Sequence, residues 1–178
     1  MSRLSQLSIN EATGVTADLF NAIKKAAGRV PNAYAGIGTH SPGALRGALE
    51  GDAILAKSSL EKADVEAIKL AVSELAGCGY CAAAHTVVGK MAGLKQEETQ
   101  QIRAGEATDN AKRDALVRFV REVSSTRGTV DEHTLNAVRE AGYTDAQVVD
   151  TLYAMSVINF TNLFNRVNDT TLDFPALA

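Results

Sequence analysis

The sequence predicts an all-α fold in a single domain. Three observations predict it. Apolar residues recur at three- and four-residue spacing in segment after segment, and no stretch alternates apolar and polar side chains as a half-buried strand would. No Asn-Gly or similar pair joins two alternating runs as a hairpin turn. The segments are separated by helix start and stop residues, not by long linkers or low-complexity tracts. With 178 residues, 46% hydrophobic and 22% charged, the chain has the composition of ordinary soluble globular material. Residues 1–178 are read as one unit, with a chemically distinctive centre at about 60–105.

Val15 to Ala27 forms a first amphipathic helix, with Leu19, Phe20 and Ile23 on one face and Gly28 after it. Pro31 opens a short turn through Tyr34 and Ile37. Ser41 caps a helix that has Pro42 at its first position, where the missing N–H costs nothing, and that runs to about Ala56. Leu60 to Ala76 is a strong helix with Val65, Ile68, Leu70, Val72 and Leu75 as its apolar stripe. Cys78 to Ala92 follows, ended by Gly93, and Gln96 to Ala104 is short and stops at Gly105. Asp109 to Arg127 turns Leu116, Val117, Phe119, Val120 and Val123 inward. Asp131 caps the next helix, which stops at Gly142, and Thr144 with Gln147 makes a capping box for the last. That last helix, through Phe164, is apolar nearly all round, so it is expected to lie at the centre of the monomer or against a partner chain. The tail from Asp169 is expected to be extended.

A net charge of −3 with no basic run gives no reason to expect a nucleic-acid partner or an anionic membrane surface. No apolar run approaches the roughly 20 residues that span a bilayer. The N-terminal segment is polar and lacks the apolar core of a secretion signal, so the default expectation is a cytoplasmic location. There a C-x-x-C pair points to catalysis or metal binding rather than to a structural disulfide.

The two cysteines, Cys78 and Cys81, have that spacing, and His85 stands four residues beyond the second. A helix starting at Cys78 places its first cysteine at the positive end of the helix dipole, which favours a thiolate. Cys81 and His85, at i and i+4, share a helix face, so the imidazole can take or stabilise the thiol proton. The dipole favours Cys78 as nucleophile and the histidine favours Cys81; at i and i+3 the two are close enough to form a disulfide. Zinc is the competing reading, but Cys78, Cys81 and His85 supply three ligands at most, and His40 or His133 would have to complete the set. Glu66, if it points inward, needs a partner, and His85 is the obvious one. Glu74 is a second candidate that periodicity does not separate from it. Tyr80 is either a packing residue or a hydroxyl donor near the site, and His40 and His133 read as surface or cap residues.

Glu66, Cys78, Tyr80, Cys81, His85 and Gly93 together resemble the pattern of the alkylhydroperoxidase AhpD-like branch of the carboxymuconolactone decarboxylase family. Val30-Pro31-Asn32, His40-Ser41-Pro42, Thr161-Asn162 and Leu172-Asp173-Phe174-Pro175 are similar to members described as peroxidase-related. The resemblance implies an all-helical fold and a homo-oligomer, a trimer or a hexamer. It also implies a thiol-dependent peroxidase with no bound cofactor or metal, whose redox centre is the Cys78–Cys81 disulfide. In it Glu66 and His85 form a proton relay to Cys81 and Cys78. His85, oriented by Glu66, would deprotonate Cys81 for attack on a hydroperoxide, Cys78 would resolve the sulfenic acid, and a dithiol such as a dihydrolipoyl protein would restore the pair. The alternative is a redox adaptor that shuttles the disulfide between a lipoyl protein and a peroxiredoxin. Tyr80 stands where some members carry histidine, and the lactone decarboxylases of the family lack the cysteine pair.

Overall fold

One helix, α4 (Lys62–Leu75), has no free side, and the others are arranged around it. The computed structural model describes residues 2–177, and every regular element among them is helical. A single 3-10 turn at Ile9–Glu11 precedes α1 (Gly14–Ala27), α2 (Asn32–His40) and α3 (Pro42–Leu55). After α4 come α5 (Gly79–Met91), α6 (Gln96–Ala104), α7 (Ala111–Thr126), α8 (Glu132–Glu140) and α9 (Asp145–Asn168). α4 packs against α5, α6, α7 and α9, and its Ala67, Ile68, Leu70 and Ala71 are wholly buried. Truncating a side chain as enclosed as Ile68 or Leu70 to alanine costs about 2–5 kcal/mol.

Three charged residues are carried inside with α4, and each is paired. Asp64 accepts from Arg113 Nε at 2.8 Å and from the Tyr143 hydroxyl at 2.8 Å. Lys69 donates to Asp52 at 2.8 Å, and Glu66 meets His85. Buried charges persist only when compensated in this way.

Helix ends follow local chemistry. Ser41 Oγ accepts from Ala44 N, Asn110 from Arg113 N and Asp131 from Thr134 N, and Thr144 and Gln147 close the capping box of α9. A second apolar cluster joins α1 to α2 and α3 through Phe20, Ile23, Val30, Ala35, Ile37 and Leu45. Gly38 makes that junction possible, since a Cβ there would lie 2.5 Å from Phe20 Cε1 and 2.8 Å from Leu45 Cδ2.

Two expectations change. The segment after Pro31 is a full helix, α2, not a turn; proline fixes the residue before the first turn, and small residues then continue it. The most enclosed helix is α4, so of the two places expected for the last helix the centre of the monomer is not the one it takes. α9 buries Val148, Thr151, Ala154, Met155 and Ile158, but leaves Val149, Leu163 and Val167 about two-thirds exposed. An open apolar groove of about 790 Å³ runs beside it, between Val123, Leu152, Phe160 and Leu163. No helix among the described residues is long and apolar enough to cross a membrane.

Candidate active site

The turn from α4 into α5 sets the site. Gly77, at φ +62°, is the left-handed residue that ends α4, and Cys78 N closes the turn onto Ser73 O at 2.9 Å. With no residue to spare, Cys78 is at once the cap of α5, its Sγ accepting from Cys81 N at 3.3 Å. Both cysteines are free thiols and each is 2% exposed. The Cys81 thiol donates to Cys78, which holds Cys78 below the ordinary thiol range against the opposing effect of burial. The same bond, with burial, pushes Cys81 far up, while the hydrogen bond from Asn165 works the other way. The pair therefore binds one proton tightly and releases the other easily.

His85 is one turn on from Cys81. Its Nδ1 lies 2.7 Å from Glu66 Oε2, and because a carboxylate can only accept, Nδ1 carries the proton of that bond and Nε2 is left facing away from it. Glu66 points inward with a side chain 8% exposed, and Lys69 Nζ is 3.7 Å from its second oxygen. Burial alone would raise the Glu66 carboxyl, but His85 and Lys69 outweigh it and hold it below the usual range. Lys69 is likewise kept charged by Asp52 and Glu66 despite its burial, and Asp52 also accepts from the Tyr34 hydroxyl at 3.3 Å. The result is a buried chain, Tyr34–Asp52–Lys69–Glu66–His85.

Two cavities meet at His85. One, of about 420 Å³, is lined by Asp52, Glu66 and Lys69. The other, of about 600 Å³ and mostly apolar, is lined by Cys81, Ala84, Val87, Tyr80, Asn165 and Phe174. His85 lines both.

Residues 42–122 match the model of the carboxymuconolactone decarboxylase family. The match covers the third helix to the seventh, and the fold of the described residues is AhpD-like. An uncharacterised peroxidase-related protein of Ralstonia eutropha JMP134, described as an alkylhydroperoxidase AhpD core, superimposes with a TM-score of 0.87 at 23% identity, covering 97% of this chain and 92% of that one. The debrominase Bmp8 gives 0.80 at 16% identity, over 96% and 92% of the two chains. A peroxidase-related protein of Silicibacter sp. TM1040 gives 0.79 at 18%, over 95% and 92%. These likenesses are of fold. Comparison with curated proteins found no match.

Within this AhpD-like core, Glu74 lies apart from the site: it is exposed and takes Arg103 Nε at 2.8 Å. His40 is exposed and bonded to Ser5 O at 2.6 Å, and His133 is exposed at the start of α8. Among the described residues no three His, Cys, Asp or Glu side chains converge as metal ligands would. Tyr80 lines the larger cavity with Cys81, but its hydroxyl is engaged elsewhere. Its hydroxyl accepts from Ala33 N at 3.1 Å and donates to Asp173 Oδ1 at 2.7 Å.

Tyr80 thereby fastens the extended tail across the larger cavity. Asp173 pairs with Arg29, which lies 4.6 Å over the ring of Phe174, and Phe174 meets Tyr80 edge to face at 5.5 Å. Arg29, Asp173, Phe174 and Asn165 are site residues that sequence reasoning missed. The one available signal was the Leu172-Asp173-Phe174-Pro175 resemblance, which carried no role.

Proposed function

We propose that the protein is a thiol-dependent peroxidase in which Cys81 attacks an organic hydroperoxide and Cys78 resolves the product. The observation that carries this reading is the shared cavity: Cys81 and His85 open into the same apolar space, and Cys78 does not line it. Charge and access favour different sulfurs, since Cys78 is the better thiolate and Cys81 has the opening. Access decides, because a proton can cross the bond between the sulfurs while substrate can reach only one of them.

In the active form one proton of the pair sits on His85, held in place by Glu66, and the other is on Cys78. The Cys81 thiolate attacks the terminal peroxide oxygen; the S–O bond forms, the O–O bond breaks and the alkoxide takes the His85 proton. The Cys78 sulfur then displaces hydroxide from the Cys81 sulfenic acid, its own proton leaving with it as water, and the disulfide closes. A dithiol restores both thiols by exchange. Two sulfurs this enclosed favour small or thin reactants, such as a hydroperoxide and a lipoyl arm, over the folded disulfide partner that an adaptor would need.

Stopped-flow oxidation by cumene hydroperoxide, with dihydrolipoamide as reductant, tests the reading. Rapid single-turnover loss of two thiols is expected, and Cys78→Ser should accumulate a dimedone-reactive sulfenic acid on Cys81. If Cys81→Ser keeps the first turnover and Cys78→Ser loses it, the order is reversed. Turnover of a brominated pyrrole without any of a hydroperoxide would place the chemistry at a carbon–halogen bond and end the peroxidase reading.

A further inference from the structure

One polar group in the larger cavity comes from neither the cysteine helix nor the relay. Asn165, on α9 and 4% exposed, donates Nδ2 to Cys81 Sγ at 3.2 Å. Its Oδ1 is buried and has no hydrogen-bond partner among the described residues, although Asn165 lines the cavity beside Cys81 and His85. A buried carbonyl left unpaired is costly, and a good reason for keeping one is a partner that arrives later.

Its neighbours on α9 are otherwise engaged. Asn162 Oδ1 accepts from Ser73 Oγ, and Asn162, whose Nδ2 has no partner among the described residues, does not line this cavity. Asn168 ties Leu4 N to Thr170 Oγ1; Thr161 also lines the cavity and helps lower the Cys81 thiol, but its hydroxyl proton goes to Ile158 O and it offers no unpaired acceptor. Asn165 combines a donor on the reacting sulfur with a buried, unpaired acceptor on a residue that lines the space where substrate would lie.

We propose that Asn165 is a catalytic residue acting on both reacting atoms: its N–H stabilises the negative sulfur of Cys81, and its carbonyl accepts the O–H of the hydroperoxide. This rests on the peroxidase reading. The bond to Oδ1 holds the terminal oxygen over Sγ with the O–O bond pointing away, as displacement requires. As S–O forms and O–O breaks, sulfur is oxidised by two electrons and the peroxide is reduced. The alkoxide leaves with the proton from His85. The transferred hydroxyl keeps its own proton on Asn165 Oδ1, so the amide that oriented the substrate also holds the sulfenic acid until Cys78 displaces it.

The test uses Asn165→Leu, close to asparagine in volume, and Asn165→Asp, which keeps an acceptor oxygen and loses the donor. In a Cys78→Ser background, the pH midpoint for alkylation of Cys81 should rise by about 1–2 units in Asn165→Leu and further in Asn165→Asp, where a like charge is added. Above that midpoint, where the sulfur is fully ionised in every protein, oxidation by cumene hydroperoxide should still be about 10- to 100-fold slower in Asn165→Leu, because the acceptor is gone. An unchanged midpoint in both variants overturns the donor role. A wild-type rate in Asn165→Leu once ionised overturns the acceptor role. If the unmodified protein is itself inert to hydroperoxide, the peroxidase reading fails together with the acceptor role, and the alkylation midpoints still decide the donor role alone.

Discussion

Lys69→Met tests whether the buried charge chain sets the working pH of the site. Methionine fills the space of the lysine stem but leaves Glu66 with His85 as its one remaining hydrogen-bond partner. At 3.7 Å, with an effective dielectric of about 20, the lost attraction is about 4 kcal/mol, and in a fully hydrated setting about 1 kcal/mol. A Glu66 side chain only 8% exposed lies nearer the first figure. At about 1.4 kcal/mol per pH unit, the carboxyl should rise by about 1–3 units. A protonated Glu66 no longer holds the His85 proton in place, so the acid limb of single-turnover cysteine oxidation should shift up by at least about one unit. Stability falls too. Breaking a buried pair costs about 3–5 kcal/mol, and because Asp52 is a third exposed and can rehydrate, the low end applies. For a chain of this size that is a loss of about 6–12 °C in Tm by calorimetry. A variant that is folded and destabilised as stated, yet keeps the wild-type acid limb, would refute the link from Lys69 through Glu66 to His85.

Three further outcomes are expected. Unfolding free energy should be greatest at intermediate pH: Glu66, held below its unfolded value of 4.5, contributes above that pH and loses its contribution as pH falls through the folded value, while Lys69, held above 10.5, contributes below that pH and loses its contribution as pH rises through the folded value; urea titrations from pH 3 to 11 measure this, and a flat Lys69→Met profile above about pH 10 would attribute the alkaline limb to that residue. Asp173→Ala removes the acceptor of the Tyr80 hydroxyl and the partner of Arg29, so about 1–3 kcal/mol should be lost and limited proteolysis should cut the tail first; a tail as protected as in wild type would refute its fastening by Asp173. Gly77→Ala forces a Cβ into the left-handed region at φ +62°, costing about 1–2 kcal/mol, and should slow thiol oxidation because the same turn places Cys78; full activity would separate that turn from the alignment of the sulfurs.

Helix positions were legible because caps and breakers are local. Ser41, Pro42, Asp131, Thr144 and Gln147 act on backbone groups within four residues, so they read the same in sequence and structure. Which helix lies at the centre was not legible. α4 looks less apolar than α9, yet its Asp64, Glu66 and Lys69 are buried against partners 49, 19 and 17 residues away in sequence, and pairing at that distance leaves no periodic trace. The Cys78, Cys81 and His85 grouping was legible because one helix turn carries it. Periodicity did not separate Glu66 from Glu74; the resemblance picked out Glu66, and its bond to His85 shows which side of α4 faces α5. Asn165, Arg29 and Asp173 reach the site from the two ends of the chain, and nothing in their own neighbourhoods gives them a role there.

The enclosure of α4 also sets an order in which the molecule loosens. Amide protons from Val65 to Ser73 have no route to solvent short of global unfolding, so they should be the last to exchange, and Glu66 travels with them. The tail, held mostly by side-chain contacts to Arg29, Asn32 and Tyr80 and not by helix packing, belongs to the less protected part of the chain. The charged half of the site is thus mounted on the last element to come apart, and the half that covers the sulfur on one of the first, so the cover can breathe many times without disturbing the residues beneath it.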